Sequence, residues 1–250
     1  MIRHIQVRFH PGKEDRMVSV WLPEGYEESE ERYPVMYMFD GQLAFADASC
    51  AGCWEMDAFL SRFEKPMMIV ALHASEESDR RMAEYCPYHL PPRLWEGLRG
   101  RGKETMEWIC SYLKPMIDSR YRTYPDRRCS ALMGASMGGV MSLYGVTAFN
   151  DVFSKAACIS PALSMGYAQI ISQLRGEYLD PDTRIFLSFG EKEARDMRML
   201  AHMVHQNLSV ANLLMKHGAR VHPYMQDEGR HCEQDWKRQA DTFMRFLWME

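Results

Sequence analysis

Residues 129–139 read Cys129-Ser-Ala-Leu-Met-Gly-Ala-Ser136-Met-Gly-Gly139. The first half is an apolar run of strand type. The second half carries Gly134-x-Ser136-x-Gly138 and opens a helical stretch. A serine between small residues at a strand-to-helix junction is the setting of a nucleophile elbow. The reason is steric: the turn is sharp and strained, so the neighbours of the nucleophile must be small. The serine hydroxyl then projects above the sheet. The N–H of the next residue, Met137, is left at a helix N-terminus, where it can bind an oxyanion. A bare GxSxG says little, because Gly and Ser are common in turns; the strand before it, the helix after it and Gly139 give it weight.

Outward from this junction the same grammar repeats. Pro34–Phe39, Met67–Leu72, Ala156–Ile159 and Arg184–Phe189 are short, nearly continuous apolar runs, the pattern of central strands buried on both faces. Helical stretches fall between them at about 54–63, 103–120, 137–149, 166–177 and 195–217. A last one, about 233–248, sets Trp236, Ala240, Phe243 and Leu247 on one face. Pro115 is expected to kink or split the second. At the N-terminus Ile5, Val7 and Phe9 alternate with polar residues and Met17–Leu22 forms a second run, which together read as antiparallel edge strands. Strand–helix alternation predicts an α/β fold: a mostly parallel central sheet with antiparallel N-terminal strands and helices on both faces. His73 to about Gly102, rich in Pro and Gly, reads as a long irregular segment of the kind that usually serves function.

A serine nucleophile needs a base, and a base needs an orienting acid. Chain order in such folds is Ser, then Asp or Glu, then His. Of nine histidines, His4, His10, His73 and His89 precede the serine. His202, His205 and His217 fall in a helical stretch, where His202 and His205 read as surface or satisfied histidines rather than a metal pair. His222 lies in a strand-like run. His231 alone occupies a polar, Gly-containing loop before the last helix, and is the expected base. The loop after Arg184–Phe189 offers Glu193 as first choice of acid, with Asp196 and Glu191 behind it. Asp227, Glu228, Asp235 or no acid at all remain open. The second oxyanion donor is expected from Gln42 or Leu43, after the tight turn Asp40-Gly41; Asp40 reads as a loop organiser.

Length and composition agree. The chain has 250 residues, 46% hydrophobic and 26% charged, with a net charge of −4, ordinary for a globular protein. There is no basic excess or stripe to bind nucleic acid, no apolar run of transmembrane length and no signal-type N-terminus, so a cytoplasmic protein without membrane or nucleic-acid partners is expected. The seven cysteines are scattered. Cys50-Ala-Gly-Cys53 is a lone CxxC, and reduced, mostly buried thiols with no metal are expected. The 21 methionines read as soft core filler.

The ordered set of motifs resembles the Putative esterase family of α/β-hydrolases, which includes esterase D and the enterochelin, feruloyl and acetylxylan esterases. The resemblance runs through Tyr33–Gln42 with Trp54, Arg81-Met-Ala-Glu-Tyr-Cys-Pro87, Leu113–Asp118, Tyr121–Thr123, Met133–Gly139, Phe153, Ser160-Pro161, Phe189-Gly190 and Gly229-Arg-His231 with Trp236. It implies an α/β-hydrolase fold in one domain over 1–250, with no large cap, no cofactor and a small-molecule ester as substrate. It implies Ser136 as nucleophile, His231 as base and an acid near Glu193, so that esters would be cleaved through an acyl-enzyme. Trp54, Tyr88 and Trp95 are candidate pocket-rim residues, and Arg81 and Glu84 are expected to pair and brace their loop. The departure lies after Ser160-Pro161, where many relatives carry an aromatic residue and this chain has Ala162-Leu163-Ser164; a different pocket is expected. Acyl transfer on the same residues and a non-catalytic binding module on the same fold are the alternatives. Oligomeric state is not legible.

Overall fold

The computed structural model describes residues 1–46, 52–90 and 99–249. In chain order the strands are β1 Ile2–Phe9, β2 Glu14–Trp21, β3 Val35–Phe39, β4 Met68–Leu72, β5 Ser130–Ala135, β6 Lys155–Ile159, β7 Arg184–Gly190 and β8 Arg220–Gln226. The helices are α1 Met56–Leu60, α2 Ser78–Glu84, α3 Gly102–Trp108, α4 Lys114–Arg120, α5 Met137–Ala148, α6 Tyr167–Leu174, α7 Met197–Lys216, α8 Glu233–Trp236 and α9 Ala240–Trp248.

The strands form one sheet in the order β1-β2-β4-β3-β5-β6-β7-β8. β2 pairs antiparallel with both β1 and β4, so it alone runs against the rest. The winding reverses between β3 and β5, which are parallel neighbours in register at Val35↔Ser130. At such a reversal two successive loops leave the carboxyl ends of neighbouring strands in opposite directions and open a crevice. The expectation of two edge strands is corrected here: β1 is the edge and β2 is interior. Ser19, a polar residue within this interior strand, is buried and satisfied, its hydroxyl lying 2.8 Å from His4 Nδ1 and 2.8 Å from His73 Nε2.

The alternation of side chains along the central strands feeds two cores. Val35, Tyr37 and Phe39 face the layer of α3 to α7. Met36 and Met38, with Met133 from β5, face α1 and α9. Methionine thus fills much of the second core, as its unbranched chain suits. Trp236, Ala240, Phe243 and Leu247 are all buried there. Between α3 and α4 the chain widens into a π-helical turn, Ile109–Leu113, directly before Pro115. Proline has no N–H for the carbonyl four residues back and its ring crowds that carbonyl; the wider turn absorbs both defects.

Three further expectations need correction. The irregular segment contains α2, whose mostly polar sequence gives little apolar periodicity. Arg81 and Glu84 on that helix do not pair with each other. Glu84 takes both Arg16 nitrogens at 2.9 Å, and Arg81 turns to Asp40. The Glu84 and Arg16 side chains are only 3% and 10% exposed. Removing one partner of a buried pair strands the other charge. Glu84→Ala is therefore expected to destabilise the protein by about 3 kcal/mol, read as a lower urea midpoint at unchanged slope. Not all cysteines are thiols either: Cys53 is disulfide-bonded, while Cys86, Cys110, Cys129, Cys158 and Cys232 are free. Among the described residues no helix is long and apolar enough to cross a membrane.

Candidate active site

Ser136 sits between β5 and α5 with φ 56° and ψ −119°, a strained backbone for a residue with a side chain. Its surroundings fix it there. Its N–H donates to Ile159 O at 3.0 Å, and its carbonyl accepts from Val140 N at 3.1 Å and Ala162 N at 3.1 Å. A Cβ on Gly134 would lie 2.5 Å from the backbone of Gly138; only glycine lets the first turn of α5 press against β5. Met137 opens α5 and is buried. Its N–H lies in the first turn of the helix, where backbone donors have no intrahelical partner.

The loop after β3 approaches the same crevice. Asp40 has φ 56°, and a Cβ on Gly41 would lie 2.4 Å from the Ala71 backbone, so the chain turns hard against β4. The Asp40 carboxylate accepts from Arg81 Nε at 2.6 Å and Nη2 at 2.8 Å, and its N–H donates to Tyr85 OH at 3.0 Å. This bidentate clamp holds the Arg81 guanidinium above its ordinary pKa and organises the loop. The Gln42 side chain accepts from Ala74 N at 3.0 Å. The Leu43 N–H donates to Asp40 O at 2.9 Å. Of the two expected oxyanion donors, Leu43 is therefore already engaged.

Glu193 ends the short turn Glu191–Glu193 that follows β7. Its Oε1 accepts from Gly190 N at 2.8 Å and from Ser160 Oγ at 2.6 Å. Its Oε2 lies 2.7 Å from His231 Nδ1. The carboxylate is 7% exposed and the imidazole 45%. Ser160 Oγ in turn accepts from Trp236 Nε1 at 3.0 Å. The His231 ring stands edge-on to Trp236 with centroids 4.8 Å apart, and Trp236 stacks on Trp54 at 6.0 Å. Three of the other candidate acids are engaged elsewhere. Asp196 caps α7 through the N–H groups of Arg198 and Met199, Asp235 holds Arg230 and Arg238, and Glu191 accepts from Glu228 N.

Ser136 and His231 are shared by two adjoining cavities. One, of about 330 Å³, is walled by Asp40, Gln42, Arg81, Trp54, Glu233 and Trp236. The other, of about 370 Å³, is walled by Ala162, Leu163, Met165, Phe189, Met199 and Met203. Among the described residues no hydrogen bond joins Ser136 Oγ to His231. The structure thus brings together Ser136, Met137, Gln42, Leu43, Trp54, Glu193 and His231. It does not bring Tyr88: its hydroxyl donates to Gln173 Oε1 at 2.6 Å and its ring packs on Tyr144, so this residue joins α5 to α6 rather than rimming the site. Trp95 lies outside the described residues. Sequence reasoning missed Ser160 as the group that holds the carboxylate, and it missed α7 as a cavity wall. Met199 and Met203, one helical turn apart, were the available signal for the latter.

The sequence profile of the Putative esterase family matches residues 11–246. The protein YbbA of Bacillus subtilis is 23% identical over 209 residues, covering 82% of this chain and 80% of that one. In structure the chain is similar to an IroE-like serine hydrolase from Shewanella oneidensis, with a TM-score of 0.77, 21% identity, and 99% of this chain and 79% of that one covered. It is also similar to the enterobactin esterase of Shigella flexneri, with a TM-score of 0.77, 15% identity, and 100% of this chain and 59% of that one covered.

Proposed function

Because the chain belongs to the Putative esterase family, we propose that its carboxylic-ester hydrolysis proceeds through an acyl-enzyme on Ser136. The observation that carries this reading is the 2.7 Å contact of His231 Nδ1 with the buried Glu193 carboxylate, at the mouth of a cavity shared with a serine in an elbow.

A hydroxyl is barely nucleophilic at neutral pH, so Ser136 Oγ attacks the ester carbonyl as His231 Nε2 takes its proton. Glu193 accepts from Nδ1–H, holds the productive tautomer and stabilises the imidazolium. In free enzymes such serine–histidine contacts are often long and tighten in the substrate complex. The tetrahedral oxyanion is held by Met137 N–H and, since the Leu43 N–H is spent on Asp40, by Gln42 N–H. His231 returns the proton to the leaving alcohol, and water, activated by the same imidazole, releases the acid. On this reading residues 1–250 act as one domain, because Gln42 and His231 serve one cavity. The test is hydrolysis of short-chain nitrophenyl esters combined with labelling by a fluorophosphonate. Failure of Ser136 to label would overturn the reading.

The two cavities divide the substrate. The one walled by Leu163, Met165, Phe189, Met199 and Met203 accepts the apolar part of the ester, and the one holding Arg81 and Glu233 accepts the polar part. Ala162 lies in the apolar wall, at the place where the sequence departs from its relatives. Ala162→Trp is expected to fill this space: kcat/KM for long-acyl nitrophenyl esters falls roughly tenfold or more, as loss of a few methylene contacts implies, while the acetyl ester is little affected. Equal loss on both esters would refute the assignment.

A further inference from the structure

A third cavity, of different character, lies at the amino ends of β6, β7 and β8. Lys155, Arg184 and Arg220 begin or nearly begin β6, β7 and β8, and they are register partners: Lys155 pairs with Arg184 and Arg184 with Arg220. Register partners point to the same face, and neighbouring strands lie ~4.8 Å apart. Three cations therefore stand side by side across three strands, an arrangement that like-charge repulsion disfavours. Lys65 and Arg128 join them in the wall of a cavity of about 620 Å³. Among the described lining residues Asp182 is the only carboxylate. That carboxylate is already shared by Arg127 and Arg128. The cation excess is local, for the whole chain carries a net charge of −4.

The site is built rather than incidental. Lys155 is 9% exposed. Its ammonium donates to Arg128 O and to Ser154 Oγ and sits 4.9 Å over the Trp248 ring. Burial, with Arg184 nearby, pushes this amine down to about 8. Trp248 also brings a buried indole N–H without a partner. Leu247, Trp248 and Met249 give one side of the cavity an apolar surface. Ser136, Glu193 and His231 follow the carboxyl ends of β5, β7 and β8, so this cavity lies roughly 20 Å away, across the length of strands that rise ~3.3 Å per residue.

We infer that the Lys65–Arg128–Lys155–Arg184–Arg220 cavity binds a small anion bearing more than one negative charge, of the phosphate-ester class. Guanidinium forks match the oxygens of phosphate, and a lysine adds a point charge. The apolar side fits the organic part of such a ligand. Nothing in this inference depends on Ser136 chemistry.

Calorimetric titration of the full chain with inorganic pyrophosphate at low ionic strength tests it. The expected result is saturable one-to-one binding that persists when Ser136 is blocked by a fluorophosphonate. It weakens at least tenfold in Arg220→Glu, an exposed position, and in Lys65→Glu, while both variants keep wild-type ester hydrolysis. Reversal of an exposed cation at the opposite edge of the sheet, Lys13→Glu in the turn between β1 and β2, leaves binding unchanged. Absence of binding overturns the inference. So does binding that both cavity variants retain, and so does equal weakening by Lys13→Glu, which would show diffuse attraction to the surface.

Discussion

Ser136→Ala is expected to lower kcat for short-chain nitrophenyl esters on the order of 10⁵- to 10⁶-fold, the loss typical when the nucleophile of a serine–histidine pair is removed. That corresponds to about 7–8 kcal/mol of barrier. The fold should not change. Among the described residues the Ser136 hydroxyl makes no hydrogen bond within the protein, so its removal strands no partner. Alanine keeps the φ of 56° at the same steric cost as serine, because both carry a Cβ. Thermal unfolding should accordingly match the wild type within a degree or so while turnover falls by that factor and fluorophosphonate labelling vanishes. The residual rate, still above that of water, measures what the Met137 and Gln42 donors and substrate binding supply without a nucleophile. Retention of wild-type turnover by Ser136→Ala would sink the acyl-enzyme reading.

The position of Ser136 was legible because everything that makes an elbow is local: an apolar strand, small neighbours and a helix start within about ten residues. The parallel sheet was legible for a related reason, since strands such as Val35–Phe39 are apolar on both faces and helices separate them. Non-local facts were harder. Three carboxylates follow β7 within six residues, and no local pattern ranks them. What holds Glu193 beside His231 is a hydrogen bond from Ser160, 33 residues away in sequence, and the N–H of Gly190. Asp196 differs only in that its oxygens already cap α7. Tyr88 misled because an aromatic residue in an irregular segment looks like a pocket rim; its hydroxyl had found Gln173. Arg81 and Glu84 misled because opposite charges close together in one segment suggest a pair, whereas two buried partners, Asp40 and Arg16, offered each a better one.

The same non-local scaffold explains why the loop turns of the site are strained yet fixed. Asp40, Ser136 and Ser160 all have positive φ, at 56°, 56° and 42°. They follow β3, β5 and β6, three adjacent strands. Each is tied down by a partner outside its own loop: Asp40 by Arg81 and Tyr85, Ser136 by Ile159, and Ser160 by the Ser188 carbonyl. Strain of about 1–3 kcal/mol per residue persists only where the surroundings over-determine the conformation. Here the over-determination comes from neighbouring strands, so the functional groups inherit the rigidity of the sheet.

Glu193→Gln is expected to lower kcat roughly 10⁴-fold with KM changed only slightly, the size of effect seen when an orienting carboxylate becomes an amide. The argument turns on which way the amide must face. Glu193 Oε1 accepts two hydrogen bonds, from Gly190 N–H and Ser160 Oγ. The Gly190 N–H can only donate, so a glutamine there must keep its carbonyl oxygen on that side. Its NH₂ then faces His231 Nδ1, where the carboxylate stood at 2.7 Å. Two N–H groups cannot face each other across that gap, so Nδ1 must become the acceptor and the imidazole proton moves to Nε2. An Nε2 that already carries a proton cannot take one from Ser136. The turned amide would set NH₂ against the Gly190 N–H and lose that bond as well, which closes the escape route. Glu193→Gln should fold normally, because the isosteric amide preserves the contacts of Gly190 and Ser160, and nitrogen NMR of His231 should report the changed tautomer directly. A kcat within tenfold of wild type, with the tautomer unchanged, would mean that the imidazole is oriented by another group and that Glu193 only braces its loop.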